Sequence, residues 1–267
     1  MTLPLRVTPP LMFGSRRALR LIERNLYVYR HGWLVIVSGF FEPLFYLLSI
    51  GFGLGQLVGT VPGPGGREIS YQLFIAPALL ASSSMNGAVT EATLNFFFKL
   101  KYQKTFESIL STPLSTADIA LGELAWALIR GALYTAGFLV VMVVLGLGVS
   151  AWLLLTLPAA LLISFAFGAV GMAATSFMRT WQDFDLIQLV ILPMFLFSGT
   201  FYPLDAYPEG LRLLVQLTPL YQGVDLLRSL AVGVVDASAL VHVVYLTVMG
   251  VAGLLIVSRR LDKLLLR

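Results

Sequence analysis

Residues 105–123 read TFESILSTPLSTADIALGE, a polar interruption between two long apolar runs. Thr105 can cap a short helix over residues 105–110. Glu107 falls in its first turn, where the helix dipole favours an acid, and Pro113 ends it. Thr116 or Asp118 can cap the helix that follows. The pattern predicts a small rigid helix held between two membrane segments, on the side where Lys99, Lys101 and Lys104 lie. Such an element suits a membrane protein that takes energy from a soluble partner. An ordinary polar loop fits these residues equally well.

The rest of the chain sets the class. Charged residues make up 12% of it and hydrophobic residues 58%, against about 25% and 45–50% in soluble proteins. A soluble fold of 267 residues could not hide so much apolar side chain. Several runs approach or exceed the ~20 residues needed to cross a bilayer. The expected fold class is therefore all-α and polytopic, with residues 1–267 forming a single transmembrane domain. There is no cysteine, which excludes disulfides, thiol nucleophiles and Cys-ligated metals. The first dozen residues, MTLPLRVTPPLM, lack a signal-peptide core and cleavage site, so the N-terminus is expected to stay on the protein.

In chain order, residues 13–31 are too charged to span. Arg16, Arg20, Glu23, Arg24 and Tyr27 share one helical face, and Leu19, Ile22, Leu26 and Tyr29 another. This predicts an amphipathic helix lying in the membrane interface. Span one runs over residues 33–58 and carries Glu42-Pro43, a carboxylate that would cost about 2.5–3.5 kcal/mol facing lipid, beside a proline that should kink or loosen the helix. Gly51, Gly53 and Gly55 imitate a dinucleotide loop but follow no strand, so that reading fails. A Pro/Gly loop over residues 60–70 precedes span two (71–94). Spans three (118–149), four (152–177) and five (184–201) follow. Residues 207–233 hold two half-length helices broken at Thr218-Pro219, which read as re-entrant or interfacial. Span six covers residues 236–257.

Basic residues set the orientation. Arg6, Arg16, Arg17, Arg20, Arg24 and Arg30 precede span one. Lys99, Lys101 and Lys104 follow span two, Arg179 follows span four, and Arg259, Arg260, Lys263 and Arg267 close the chain. The opposite face has Arg67, Arg212 and Arg228. Both termini and the 105–123 stretch are thus expected in the cytoplasm. The basic pI reflects this topology and points to no nucleic acid.

Catalytic readings fall away. His31 and His242 stand apart with no zinc motif, and a structural role is expected for both. No GxxxxGK[ST] loop occurs, so this chain binds no ATP that way, and the acids form no metal-holding pair. Arg130 is the one cation deep in a span, about 18 Å past Asp118. Glu123 lies two turns below it on a similar face. Pairing within the bundle or contact with substrate would each account for Arg130.

At this point a family resemblance emerges. RNLYVYRHGW before span one, EPLFYLLSIGFGLG within it, FESILSTPLSTADIALGELAWA, FLFSGTFYPLDAYP after span five, and LTPLYQGVDLLR beyond together resemble the ABC-2 type permeases of ATP-binding-cassette exporters. The nodulation lipo-oligosaccharide branch is the nearest, beside the drug and polysaccharide branches. Tyr221-Gln222 departs from a histidine-containing pair expected there. The resemblance implies six spans, an interfacial helix at residues 13–31, a coupling helix at 105–112 and re-entrant helices at 207–233. It implies a homodimer with two ATPase subunits, which would hold ATP and Mg; this chain would bind no cofactor or metal itself. Contact with the ATPase would fall to Phe106, Ile109 and Leu110, with Lys104, Thr105 and Glu107 setting charge and polarity and Thr112-Pro113 the exit. A pathway lined by spans one and five would place Phe40, Phe41, Glu42, Phe45 and Tyr46 opposite Phe195, Phe197 and Phe201. The expected protein is an export permease for an amphipathic cargo in the bacterial inner membrane, in contact with lipid. The alternative, an ion-coupled secondary transporter without an ATPase, would favour inverted repeats, and none is evident.

Overall fold

The structure, a computed structural model, describes residues 16–29, 41–148 and 150–266. Residues 13–15 and 30–31 of the expected interfacial helix, and residues 33–40 of span one with Phe40, lie outside them.

The elements run as α1 (Arg16–Tyr29), α2 (Phe41–Val58), β1 (Thr60–Pro62), β2 (Glu68–Ser70), α3 (Tyr71–Tyr102), α4 (Thr105–Leu110), α5 (Thr116–Val144), α6 (Ala151–Thr175), α7 (Phe184–Leu196), α8 (Glu209–Leu217), α9 (Pro219–Val232) and α10 (Ala237–Leu265). Five of these, α2, α3, α5, α6 and α10, are long and apolar enough to cross a membrane. The two strands pair antiparallel, Val61 opposite Ile69, as a hairpin between α2 and α3.

The fifth expected span is a 13-residue helix, α7, with a non-helical end. At ~1.5 Å per residue the helix covers roughly 20 Å, short of a ~30 Å hydrocarbon core. The segment still runs the length of α3. At one end Phe184 meets Phe97, ring centroids 5.3 Å apart. At the other the Tyr71 hydroxyl donates to the Phe201 carbonyl at 3.4 Å. The helix stops because Gly199 adopts φ +69, which a side chain would disfavour. The carbonyl of Gly199 is met by Arg228 Nη2 at 2.8 Å, so irregular backbone at this depth is satisfied by protein. The described residues thus hold five helices of spanning length and this shorter one alongside α3.

Two expected boundaries shift. Span two does not end at Leu94; α3 continues to Tyr102, through π-helical turns at Glu91–Asn95 and Phe98–Tyr102. The last span extends past residue 257 to Leu265, taking the basic tail with it. Pro43 sits within α2, where π-helical turns occupy Leu47–Phe52.

α6 is the central post, packed on α3, α5 and α10. Small residues permit this: a Cβ on Gly253 of α10 would lie 2.7 Å from the Val170 backbone nitrogen of α6. Hydroxyls stitch the layers. Ser84 and Thr135 lie 3.3 Å apart between α3 and α5, and Ser164 of α6 donates to the Ser84 carbonyl at 3.3 Å. The core divides in two. One cluster, around Phe74, Leu79, Phe138 and Leu227, fills the end nearer the hairpin. The other, around Leu21, Phe96, Phe106, Ile119 and Leu261, joins α1, α4 and the end of α10.

Candidate functional site

α4 spans Thr105–Leu110, with its cap different from the one expected. Lys104 occupies the N-cap position in a left-handed conformation, φ 50, without a side-chain cap bond. The Thr105 hydroxyl turns instead to Gln103 Oε1, 3.4 Å away. The next helix is capped by Ser115, whose Oγ accepts from the Asp118 amide while Asp118 Oδ2 accepts from the Ser115 amide, a reciprocal capping box. The Thr112 hydroxyl donates to the Ile109 carbonyl at 2.6 Å, closing α4 before Pro113.

The apolar residues of α4 face inward, which corrects the expected contact surface. Phe106 is wholly buried, its ring 5.1 Å from that of Phe96, and Ile109 is buried beside it. Burying these side chains is worth about 1.5–3 kcal/mol each and holds α4 against the end of α3. Neither is available to a partner, because the protein's own core took the i, i+3 face. Leu110 is half-buried on the same cluster. The outward surface is polar: Lys104, Glu107, Ser108, Ser111 and Thr112, with Lys104 Nζ and Glu107 Oε2 3.9 Å apart.

α1 lies beside α4. A cavity of ≈ 420 Å³ opens between them, lined by Arg20, Arg24, Gln103, Thr105, Ser108 and Thr112 among others. α1 docks on α5 through Leu21, where Gly122 leaves room; a Cβ there would meet Leu21 Cδ1 at 2.6 Å. The Thr116 hydroxyl, at the start of α5, bonds Asp262 near the end of α10. This end is thus one packed unit of α1, α4, α5 and α10.

Glu123 is buried and Arg130 part-buried, and both are paired, but not with each other. Arg130 pairs with Glu91 and also donates to the Tyr134 hydroxyl at 2.9 Å. Glu123 pairs with Lys99 at 2.6 Å. The antiparallel run of α3 and α5 explains this: Glu91 and Lys99 are eight residues apart on one helix, Glu123 and Arg130 seven on the other. Two turns therefore separate the pairs on both sides. Asn95 donates to Glu91 at 2.7 Å.

Of the expected pathway residues, Glu42, Tyr46 and Phe195 line one narrow cleft of ≈ 10 Å³, with Pro43, Leu79, Ser82, Ser83 and Asn86. Phe201 joins it through Phe195, ring centroids 5.1 Å apart. Phe41 and Phe45 stack on one another at 5.8 Å, exposed, and Phe197 is exposed as well. Glu42 itself is exposed.

At the far end Arg228 of α9 donates to the carbonyls of Phe74 and Gly199 and lies 3.7 Å over the Phe74 ring. It does not pair with Asp225, which meets His242 of α10. Lys99 was read from the sequence as a loop cation; its pairing with Glu123, the Glu91–Arg130 pair and the Asp225–His242 contact were not. A helical reading of residues 95–102 would have brought Lys99 into register with Glu123; nothing in sequence spacing pairs Asp225 with His242.

No group of three or more metal-ligating side chains occurs among the described residues. A helical bundle with five helices of spanning length, a short polar-faced helix at one end, ion pairs between the long helices and two half-length helices at the other defines a multi-pass membrane protein. The chain belongs to the ABC-2 type transporter family, whose profile matches residues 17–232. It is 35% identical over 222 residues to Nodulation protein J of Rhizobium leguminosarum bv. trifolii, covering 82% of this chain and 83% of the relative. Nodulation protein J of R. leguminosarum bv. viciae is 31% identical over 256 residues, 95% of this chain and 97% of the relative. The inner membrane transport permease YadH of Escherichia coli (strain K12) is 27% identical over 195 residues, 72% and 73% of the two chains. The chain is accordingly a transport permease, the membrane subunit of an ABC transporter, a family whose members work with an ABC ATPase.

Proposed function

We propose that this chain forms the translocation half of an ATP-driven exporter. Two copies pair with two ATPase subunits, which hold ATP and Mg, and move an amphipathic cargo out of the cytoplasm or the inner leaflet. The cargo class is a lipid-linked, glycolipid or hydrophobic drug molecule. The observation that carries this reading is α4: a short helix anchored by Phe106, with its polar face of Lys104, Glu107, Ser108 and Thr112 turned outward beside α1. A soluble ATPase can push on such an element, and the packed unit of α1, α4, α5 and α10 would pass the motion to the spans.

The excess of Lys and Arg on this side favours a cytoplasmic location for α4 and both termini. The E. coli relative, an inner membrane transport permease, favours the bacterial inner membrane. Glu42, Tyr46 and Phe195 would face the pathway between two copies, where a carboxylate among rings suits a cargo with both polar and apolar parts.

The test is co-purification of the tagged chain with the ATPase from its native membrane, followed by reconstitution. ATPase activity should fall when Glu107→Lys and Ser108→Arg are introduced together, with insertion retained. A chain that transports without any ATPase, driven by an ion gradient, would overturn the reading.

A further inference from the structure

We propose that His242, Asp225 and Gln222 form a proton-binding latch that ties the re-entrant helix α9 to the last span α10. The Gln222 amide is oriented by its own nitrogen, which donates to the Gln216 carbonyl at 2.6 Å. Its oxygen is therefore the atom that meets His242 Nδ1. The other ring nitrogen, Nε2, lies 3.1 Å from Asp225 Oδ2. An amide oxygen and a carboxylate both accept, and an imidazole with a single proton can satisfy just one of them. The arrangement is complete only with a proton in each contact, and because an imidazole is ordinarily a stronger base than a carboxylate, both protons fall on the ring: an imidazolium held between Gln222 and the Asp225 carboxylate.

The surroundings fit an exchangeable proton. His242 is 6% exposed, whereas the Asp225 side chain is 29% exposed and gives the site an edge to solvent. Asp225 and Gln222 face the ring from α9. On α10 itself, the Asp236 carboxylate at the N-cap is in electrostatic reach of the ring. Arg228 and Tyr221 act on Asp225 through space, while the Arg228 guanidinium is committed to the Gly199 and Phe74 carbonyls. A neutral tie, the Tyr245 hydroxyl to the Leu217 carbonyl at 3.0 Å, holds α10 to the end of α8.

Loss of one proton leaves the other on Nε2, toward the stronger acceptor Asp225, and the Nδ1 lone pair then opposes the Gln222 oxygen. α9 then loses its Gln222 bond to α10 and keeps a weaker one, from a neutral ring, through Asp225. α9 also carries Arg228, which holds the end of the fifth span through Gly199. Proton release would therefore loosen the bundle at the end opposite α4, whatever drives transport.

Two histidines in the whole chain make the test direct. The His31→Gln chain, labelled with 15N-histidine and placed in lipid nanodiscs, leaves one ring to observe over about pH 5 to 9, the range in which histidine ordinarily titrates. The expected spectrum at neutral pH has both ring nitrogens protonated. As the pH rises one proton leaves in a single step, and amide exchange in residues 219–232 accelerates across that same step. Asp225→Asn should leave one proton, on Nδ1, at neutral pH and remove the pH dependence of α9 exchange. A native ring carrying one proton at every pH overturns the proposal, and this reading needs no substitution within the cluster. An unchanged titration in Asp225→Asn, or α9 exchange that ignores the ring, also overturns it.

Discussion

Lys99 of α3 and Glu123 of α5 form a buried ion pair, Nζ to Oε2 2.6 Å, at the end of the bundle that carries α4. Two turns further in, Glu91 and Arg130 repeat the arrangement with the signs exchanged between helices. Exchanged signs fix register: sliding α5 two turns past α3 would set like charges together. The pairs therefore specify how α3 and α5 align, and with them where α4, the link between the two helices, is held.

Breaking one partner should be costly. Lys99→Met leaves Glu123 buried without a counter-charge, and about 3–5 kcal/mol of stability should be lost. Replacing both, Lys99→Met with Glu123→Leu, should recover most of it. Detergent melts of the two singles and the double form a cycle that measures this. Singles within about 1 kcal/mol of the parent would mean that the pair is solvated in the membrane protein.

The two faces of α4 should separate stability from coupling. Phe106→Ala opens a void in the packed end and should cost about 3–5 kcal/mol, seen as a lower melting temperature. Glu107→Lys is exposed and should change stability by no more than about 0.5 kcal/mol. It should nonetheless lower export and ATPase activity in the assembled complex. Normal activity in Glu107→Lys would place the contact elsewhere, with the Arg20 and Arg24 side of the cavity the next candidate.

Topology is readily checked, since the chain has no cysteine of its own. Cysteine at Arg67 and at Gly210, both exposed, should react with an impermeant reagent from outside intact cells. Cysteine at Lys101 should react only after the membrane is opened. Labelling of Lys101 from outside would reverse the orientation.

Much of the fold was legible because a bilayer imposes length and polarity on every span. The extent of the helix at Thr105–Leu110 before Pro113, though not its Thr105 cap, the break at Thr218-Pro219 and the start of the last helix at Ala237 follow from local chemistry: prolines, caps and apolar runs. What failed was tertiary. Lys99 reads as a loop cation because hydropathy drops after Leu94, yet Glu123 compensates it and the helix continues. Phe106, Ile109 and Leu110 form an apolar face, and spacing cannot say whether a partner or the chain's own core will cover it. The fifth span can end in irregular backbone after Leu196 because an arginine 32 residues later supplies the donor that satisfies it. His242 and Asp225 lie on different helices, with nothing local to link them.

Glu42 decides whether the cleft between α2, α3 and α7 belongs to the pathway. It is exposed, yet its neighbours Ser82, Ser83 and Asn86 make one wall polar, with Tyr46 and Phe195 on the others. The Ser82 hydroxyl is already committed to the Ala78 carbonyl at 2.9 Å, so it adds little for a cargo. Against lipid, an ionised Glu42 would cost about 2.5–3.5 kcal/mol, and removing it should raise stability. Against a polar pathway it should matter for transport instead. Glu42→Gln keeps shape and hydrogen bonding but removes the charge. Complementation of a deletion strain, read by its lipidome and its drug sensitivity, should then show reduced export for Gln and a further loss for Leu, with ATPase assembly and melting near normal. Should both variants complement fully, and the Leu form melt higher than the parent, Glu42 faces lipid and the pathway lies on another face of α2.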